Sequence, residues 1–147
     1  MDKKKPKRLR RIAAGRITKT VRNLFIAANT TLCDDVRDAL RSAHAQEASP
    51  IGREVLAKIL QNADIARDNA LPICQDTGLA VLFLEVGQDV RIVGGPLQDA
   101  IAEGVRQAYA EGFLRKSVCD PFTRANTKDN TPAVIHCDIV PGDHLRI

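Results

Sequence analysis

Aromatic side chains and long apolar runs are both scarce in this chain. Its 147 residues include four phenylalanines, one tyrosine and no tryptophan, although 44% of them are hydrophobic. The length suits one compact domain, and the composition predicts an aliphatic core. No apolar run approaches the roughly 20 residues that cross a bilayer, and no apolar stretch follows the basic N-terminus to form a secretory signal. We therefore expect a soluble, cytoplasmic protein without a membrane partner.

The cysteines lack the spacings of the common structural sites. The four of them are Cys33, Cys74, Cys119 and Cys137. There is no CxxC pair and no secretory signal, so we expect a reducing compartment and no disulfide framework. Cys119 and Cys137, taken with His136 and His144, do not match a common zinc spacing. A zinc site is therefore not predicted.

The positive charge is confined to the N-terminus. The formal net charge is +4, but ten of the 22 Lys and Arg residues lie in residues 1–22, beside the single acid Asp2. Residues 23–147 hold the other 12 basic and 17 acidic residues, a net charge of −5. Residues 1–16 are interpreted as a basic, disordered arm. Such an arm can bind nucleic acid or an anionic membrane by charge alone, but a solvated extension is the simpler interpretation, and nucleic acid is not expected as a partner.

Apolar spacing predicts an α+β fold, with N-terminal helices followed by a mixed or antiparallel sheet and a packed helix. Apolar residues recur at helical spacing over residues 17–30, again after Asp34 or Asp35 as a cap, and from the Ser49-Pro50 start signal to about residue 69. Residues 79–86 and 90–93 are predicted as strands joined by a turn, and a helix follows from Leu97 to near Gly112.

The C-terminal part is predicted as a long polar connection and a final hairpin. The connection covers residues 115–131, which is long for a compact domain and makes it a functional candidate. Residues 132–140 are predicted as a strand, and after a turn at 141–143 residues 144–147 open another. Nothing follows to complete the sheet, so the fold is expected to be incomplete at the C-terminus.

Cys74-Gln75-Asp76-Thr77-Gly78 is the segment most indicative of chemistry. It places a thiol, an amide, a carboxylate and a hydroxyl at a turn between a helix and a buried strand, a common location for functional groups. Cys74 fits a nucleophile, if a histidine such as His136 or His144 serves as its base. It also fits a metal or cluster ligand, or a buried cysteine that acts as a small hydrophobe, which is the usual role of a lone cysteine.

Two further polar segments have both functional and structural interpretations. Residues 126–132 (Asn-Thr-Lys-Asp-Asn-Thr-Pro) could deliver amides and hydroxyls to an anionic ligand, but these residues are also common turn formers, and the structural role is preferred. Arg115 and Lys116 could bind a carboxylate. Cations after a helix C-terminus are also favoured by the helix dipole.

These segments together resemble the N-terminal part of class I (iron–sulfur) fumarases and the related alpha subunits of tartrate dehydratase. The likeness runs from about Ile17 to the last residue. The matching segments are residues 49–56, 74–78, 85–90, 92–95, 114–118 and 130–136, among which the Cys74 pentapeptide is the most specific.

The resemblance implies a hydro-lyase that adds water to fumarate to form malate through a [4Fe–4S] cluster. It implies that Cys74 is one of three cysteine ligands, that Gln75 and Asp76 are catalytic residues beside the substrate, and that Arg115 binds a substrate carboxylate. The implied partners are a small dicarboxylate and a C-terminal remainder or beta subunit, in a homo- or hetero-oligomer. Tartrate dehydratase, or a non-catalytic remnant that binds through the basic arm, are the alternatives.

The departures from the family pattern are also informative. The other two cluster cysteines and the family's catalytic base lie beyond residue 147, so residues 17–147 are interpreted as a truncated alpha domain that is inactive alone. Cys33, Cys119 and Cys137 do not fall at ligand positions of the family. Lys128 replaces a glycine that the family usually has. If that position needs a positive φ, lysine costs on the order of 1 kcal/mol there.

Overall fold

A computed structural model describes residues 9–74 and 78–147 of the chain. It contains four helices and five short strands within these ranges, in agreement with the predicted α+β class. In chain order these are β1 (Arg10–Ala13), α1 (Ala14–Thr30), α2 (Asp34–Gln46), α3 (Pro50–Asn69), β2 (Val81–Gly87), β3 (Val90–Val93), α4 (Leu97–Glu111), β4 (Val134–Val140) and β5 (Leu145–Arg146). No helix among the described residues is long and apolar enough to cross a membrane.

The helices form where the apolar spacing places them, and their starts differ in detail. Ser49 caps α3 as predicted, because its hydroxyl accepts a hydrogen bond from the Gly52 N–H at 3.3 Å and Pro50 follows it. Asp34 and Asp35 do not cap α2. They lie in its first turn, where their negative charges interact favourably with the positive end of the helix dipole.

The N-terminal segment is more regular than the predicted disordered arm. Arg10–Ala13 forms β1, and α1 begins at Ala14 rather than Ile17. Ile12 of β1 packs against the core. This apolar contact holds the basic segment in place, and the charge pattern alone did not predict it. The first eight residues of the arm lie outside the described residues.

The strands pair differently from the predicted hairpins. β2 and β3 are not partners, since β3 pairs in parallel with β1, with Ile12 opposite Ile92. β5 does not pair with β4 either. β2 is the central strand of a mixed sheet in the order β4-β2-β5, parallel to β4 and antiparallel to β5. Short sequence separation favoured the hairpins, but β2 takes the central position of the sheet. It is not buried on both faces as predicted, since Leu82 and Leu84 are buried while Val81 and Phe83 are exposed.

The turn after β4 wraps around the end of β2 and requires a glycine there. Gln88 N–H donates to the Val140 carbonyl, and Gly87 N–H donates to the His144 carbonyl. A Cβ at Gly87 would lie 2.5 Å from the Gly142 carbonyl oxygen. Only glycine therefore allows β5 to reach the far side of β2.

The core lies between the mixed sheet and the packed pair α1–α4. Leu82 and Leu84 point from β2 into this core, where Tyr109 is the one fully buried aromatic residue among those described. The remaining buried members are aliphatic, as the composition predicts; they are Ala14, Ile17, Val21, Ala80, Ala100, Ile101, Val105, Ala108 and Leu114. The pair α2–α3 lies outside this cluster, since α2 has no buried residue and α3 buries Ala63 and Ala66.

Candidate active site

Cys74 lies on the surface at the end of the segment that leaves α3. Its side chain is exposed, so the interpretation of Cys74 as a buried small hydrophobe is wrong. Ala70, which has φ +53°, ends α3 in the left-handed conformation and turns the chain towards Cys74. Local backbone geometry thus presents this thiol to solvent.

Two asparagines hold the chain on the N-terminal side of this cysteine. The Cys74 N–H donates to Asn62 Oδ1 on α3 at 3.0 Å, and the Ile73 N–H donates to the main-chain carbonyl of Asn29 at 2.8 Å. The Cys74 main chain is therefore fixed against α3 and the end of α1, while its thiol is left free of these contacts.

An open groove of about 480 Å³ runs along α3 next to Cys74. Its walls are mainly the aliphatic side chains of α3, with one acid and one base among them. The lining residues are Ile51, Glu54, Val55, Lys58, Ile59, Asn62 and Cys74. The groove is therefore an apolar surface that leads to a thiol, with little in it to bind a dicarboxylate by charge.

Of the polar residues predicted to act with Cys74, the structure describes Arg115 only. Gln75 and Asp76 lie outside the described residues. Arg115 is exposed, three residues past the C-cap Gly112 of α4. Cys74 thus follows α3 and Arg115 follows α4. Contacts made by the 115–131 connection link the two segments.

Asn130 joins the two segments, a role that the sequence did not predict for this member of the 126–132 segment. It is completely buried. Its Oδ1 accepts hydrogen bonds from Ser117 N–H (2.7 Å) and Val118 N–H (2.9 Å), while its Nδ2 donates to the Gly78 carbonyl at 3.3 Å. One side chain therefore connects the residue that ends the Cys74 pentapeptide to the segment that follows Arg115.

The rest of the 126–131 loop holds itself together, as the structural interpretation predicts. Asn126 accepts from the Lys128 N–H and donates to the Lys116 carbonyl. Asp129 accepts from both the N–H and the hydroxyl of Thr131. The Asn126 amide and the Thr131 hydroxyl therefore already have partners, and the Asp129 carboxylate would repel an anionic ligand.

Two pKa values near Asn130 are shifted. Burial raises the pKa of Tyr109, and a hydrogen bond with Asn130 only partly opposes this effect. Burial would also raise the pKa of Asp129, but its hydrogen bonds from Thr131 and Thr127 and the nearby Arg106 charge outweigh it, so that pKa is lowered. At neutral pH this junction holds a neutral phenol and an ionised carboxylate.

The histidines do not serve Cys74 as a base in this arrangement. His136 stacks on Phe83 with ring centroids 4.9 Å apart, and His144 lies 3.9 Å from Glu85. Within the described ranges neither histidine forms a hydrogen bond with Cys74. The geometry therefore does not support the nucleophile interpretation.

A complete metal site is not formed by the described residues. Outside residues 1–8 and 75–77, no three His, Cys, Asp or Glu side chains converge on a point where they could hold a metal ion. An iron–sulfur cluster is held by several thiolates, and Cys74 supplies one. The described residues by themselves therefore do not make up the site of such a cluster.

Comparison with known families identifies the class of this α+β domain. The family of fumarate hydratase (Fumerase) matches residues 18–147. The chain therefore belongs to the fumarate hydratase family, and the resemblance inferred from the Cys74 pentapeptide and its flanking segments is confirmed.

Individual relatives carry two different names. The chain is 37% identical over 116 residues to a protein of Methanocaldococcus jannaschii provisionally assigned as L(+)-tartrate dehydratase subunit alpha, covering 78% of this chain and 41% of that protein. It is 37% identical over 124 residues to the aerobic class I fumarate hydratase of Escherichia coli K12 (76% and 22%). It is 32% identical over 139 residues to the L(+)-tartrate dehydratase subunit alpha of Escherichia coli UTI89 (92% and 46%). The chain thus spans less than half the length of each.

Proposed function

We propose that this chain contributes the Cys74 side of the active site of a hydro-lyase that acts on a C4 dicarboxylate, adding water to fumarate to form malate. The observation that carries the proposal is Cys74 itself. Its thiol is exposed, its main chain is held by Asn62, and the last residue of its pentapeptide is tied through Asn130 to the segment after Arg115. Membership of the fumarate hydratase family supplies the reaction class.

Each predicted site residue has a role in this proposal. Cys74 provides one thiolate ligand of a [4Fe–4S] cluster whose other ligands come from parts of the protein that this chain does not contain. Gln75 and Asp76 contact the substrate beside it as catalytic residues. Arg115 pairs with a substrate carboxylate, for which its planar guanidinium is suited. Positioning the two ends of the dicarboxylate is then the main contribution of this chain.

The partner in this proposal is the remainder of the enzyme, either a C-terminal portion or a beta subunit. The alpha-subunit names of two relatives support it, as does the short span of this chain on each of them. Ile51, Val55 and Ile59 of α3 are exposed along the groove beside Cys74. An apolar surface at a site that lacks ligands is where a completing partner would lie.

The test is the loss of hydration activity on removal of one thiol. In the complete protein, isolated anaerobically, Cys74→Ser is expected to abolish fumarate hydration and to release iron. The matched control is Cys137→Ser, which removes another exposed cysteine and leaves both properties unchanged. Wild-type turnover by the Cys74→Ser variant would exclude the ligand role. The 147-residue chain alone is expected to be inactive, and measurable hydration by it would refute the need for a completing partner.

Tartrate dehydratase is a second candidate, favoured by the alpha subunits that the chain resembles. Both reactions move water on a C4 dicarboxylate. Fumarate has no hydroxyl and gains one, whereas tartrate has two hydroxyls and loses one. The ratio of kcat/KM for fumarate hydration to that for L(+)-tartrate dehydration decides between them. A ratio far above one assigns fumarate, and a ratio far below one assigns tartrate.

A further inference from the structure

We propose that Asn130 is a positioning residue that aligns the Cys74 segment with the Arg115 segment. The inference rests on the proposed function, because it concerns how the two halves of that site are brought into register. It starts from the contacts of one buried side chain, which uses both ends of its amide. The oxygen of Asn130 accepts from the Ser117 and Val118 N–H groups, its nitrogen donates to the Gly78 carbonyl, and the amide also has a hydrogen bond with Tyr109.

The chemistry of the site explains why an asparagine is suited to this junction. The side chain must accept two hydrogen bonds and donate another, in a place where it is 0% exposed. An amide can do both without carrying a charge, and a buried carboxylate or ammonium would be costly. The backbone at Asn130 has φ +60°, a conformation that asparagine tolerates better than most residues.

The consequence for the site follows from the sequence distances. Gly78 is four residues after Cys74, and Ser117 is two residues after Arg115. The Asn62 bond to Cys74 holds the cysteine from the other side. Cys74 and Arg115, which are both exposed, therefore each lie within four residues of a main-chain group that Asn130 holds. Among the described residues, Asn130 forms its hydrogen bonds with Ser117, Val118, Gly78 and Tyr109, so it acts through the segments that it ties.

The chain offers the same Asn→Asp change at a buried and at an exposed position of one loop for testing this role. Asn130→Asp keeps the acceptor for Ser117 and Val118 and replaces the donor to Gly78 by an oxygen that faces a carbonyl. Asn126→Asp makes the same chemical change in the same loop. It keeps the acceptor for Lys128 and loses the donor to the Lys116 carbonyl, but it does not involve Gly78.

Amide hydrogen exchange on the 147-residue chain measures the tie itself. We expect Asn130→Asp to raise the exchange rate of the peptide covering residues 78–82 at least several-fold over Asn126→Asp. Equal rates in the two variants would overturn the proposal. If Asn130→Asp does not fold, the wild-type NMR spectrum decides. Nuclear Overhauser contacts between the Asn130 amide protons and Gly78 or Leu79 support the tie, and their absence overturns it.

Kinetics of the complete enzyme separate positioning from a purely structural role. Asn130→Asp is expected to lower kcat for the dicarboxylate roughly tenfold or more, with a smaller change in KM, because misalignment weakens transition-state contacts more than ground-state binding. Asn126→Asp is expected to keep the wild-type kcat. An unchanged kcat in Asn130→Asp overturns the positioning role and leaves the proposed function intact. If the wild-type enzyme has no hydro-lyase activity, the proposed function fails, whereas the exchange result still reports the tie.

Discussion

The two helix pairs of this domain are held together by different forces. Between α1 and α4 the backbones approach closely, and Val21, Ile101 and Val105 are buried at the contact. Between α2 and α3 the conspicuous contact is an ion pair of Arg37 with Asp64, which also pairs with Arg67. The pair α1–α4 therefore forms part of the hydrophobic core, whereas the pair α2–α3 forms a layer at the surface.

The difference shows that amphipathic spacing does not reveal what covers an apolar face. The α3 sequence has apolar residues at helical intervals as regular as those of α1, yet Ile51, Val55, Ile59 and Ile65 are exposed. Cys74 lies in the groove along this exposed face of α3, although the residue before it also bonds to the end of α1. The Cys74 side of the candidate site therefore adjoins a helix face with little internal packing, which agrees with the proposed partner.

Matched isoleucine truncations give the largest expected contrast between the two pairs. Ile101→Ala in α4 removes a side chain that is 1% exposed, and should lower the free energy of unfolding by about 2–5 kcal/mol. Ile51→Ala in α3 removes one that is 76% exposed, and should cost about 0.5 kcal/mol or less. Urea denaturation of the 147-residue chain measures both. A similar loss in the two variants would mean that the α3 face is covered in solution.

A pair of glycine substitutions tests the close approach of α1 and α4. A Cβ at Gly104 would lie 2.7 Å from the Thr18 carbonyl oxygen and 2.8 Å from Val21 Cβ. Gly104→Ala should therefore lower the free energy of unfolding by about 1–3 kcal/mol, despite the better helix propensity of alanine. Gly15→Ala in α1 meets nothing within 4 Å and should raise it by about 0.5 kcal/mol. Stabilisation by Gly104→Ala would show that these helices are further apart.

The elements were predictable from the sequence because their signals are local. Ser49-Pro50 marks the start of α3, Gly112 the end of α4, and the apolar run 79–84 the strand β2. The strand pairing was not predictable. β1 pairs with β3, and β5 pairs with β2 and not with β4. Strand pairing depends on which surfaces the helices cover, and no short-range sequence pattern encodes this.

The candidate site likewise contains one residue with a local sequence signal and one whose role depends on distant contacts. Cys74 stood out because four kinds of polar group follow an apolar helix in five residues. Asn130 did not, because its role depends on contacts with Gly78, 52 residues away, and with Ser117, 13 residues away. As a turn former among turn formers it carried no distinguishing signal. The roles of Gln75, Asp76 and Arg115 remain predictions that rest on the family resemblance.

Lys128 tests whether the loop near Asn130 carries backbone strain that the α2–α3 layer does not. Its φ is +67°, which meets the condition under which lysine was expected to be costly. Lys128→Gly should raise the free energy of unfolding by about 1 kcal/mol. The control is Lys58→Gly within α3, which should lower it by about 1 kcal/mol. Thermal unfolding of both variants measures the difference, and destabilisation by Lys128→Gly would contradict the strain.

The smallest expected effect is the acid sensitivity of this loop. The pKa of Asp129 is lowered from its ordinary value of 3.8, because the hydrogen bonds from Thr131 and Thr127 and the Arg106 charge outweigh burial. A carboxylate with a lowered pKa stabilises the fold fully above its ordinary pKa, and this contribution is lost as the pH falls through the lowered value. Amide exchange at Thr131, whose N–H donates to Asp129, should therefore accelerate relative to α1 below about pH 3.8. Asp129→Asn should remove most of that pH dependence, and an unchanged profile would show that another group controls the loop.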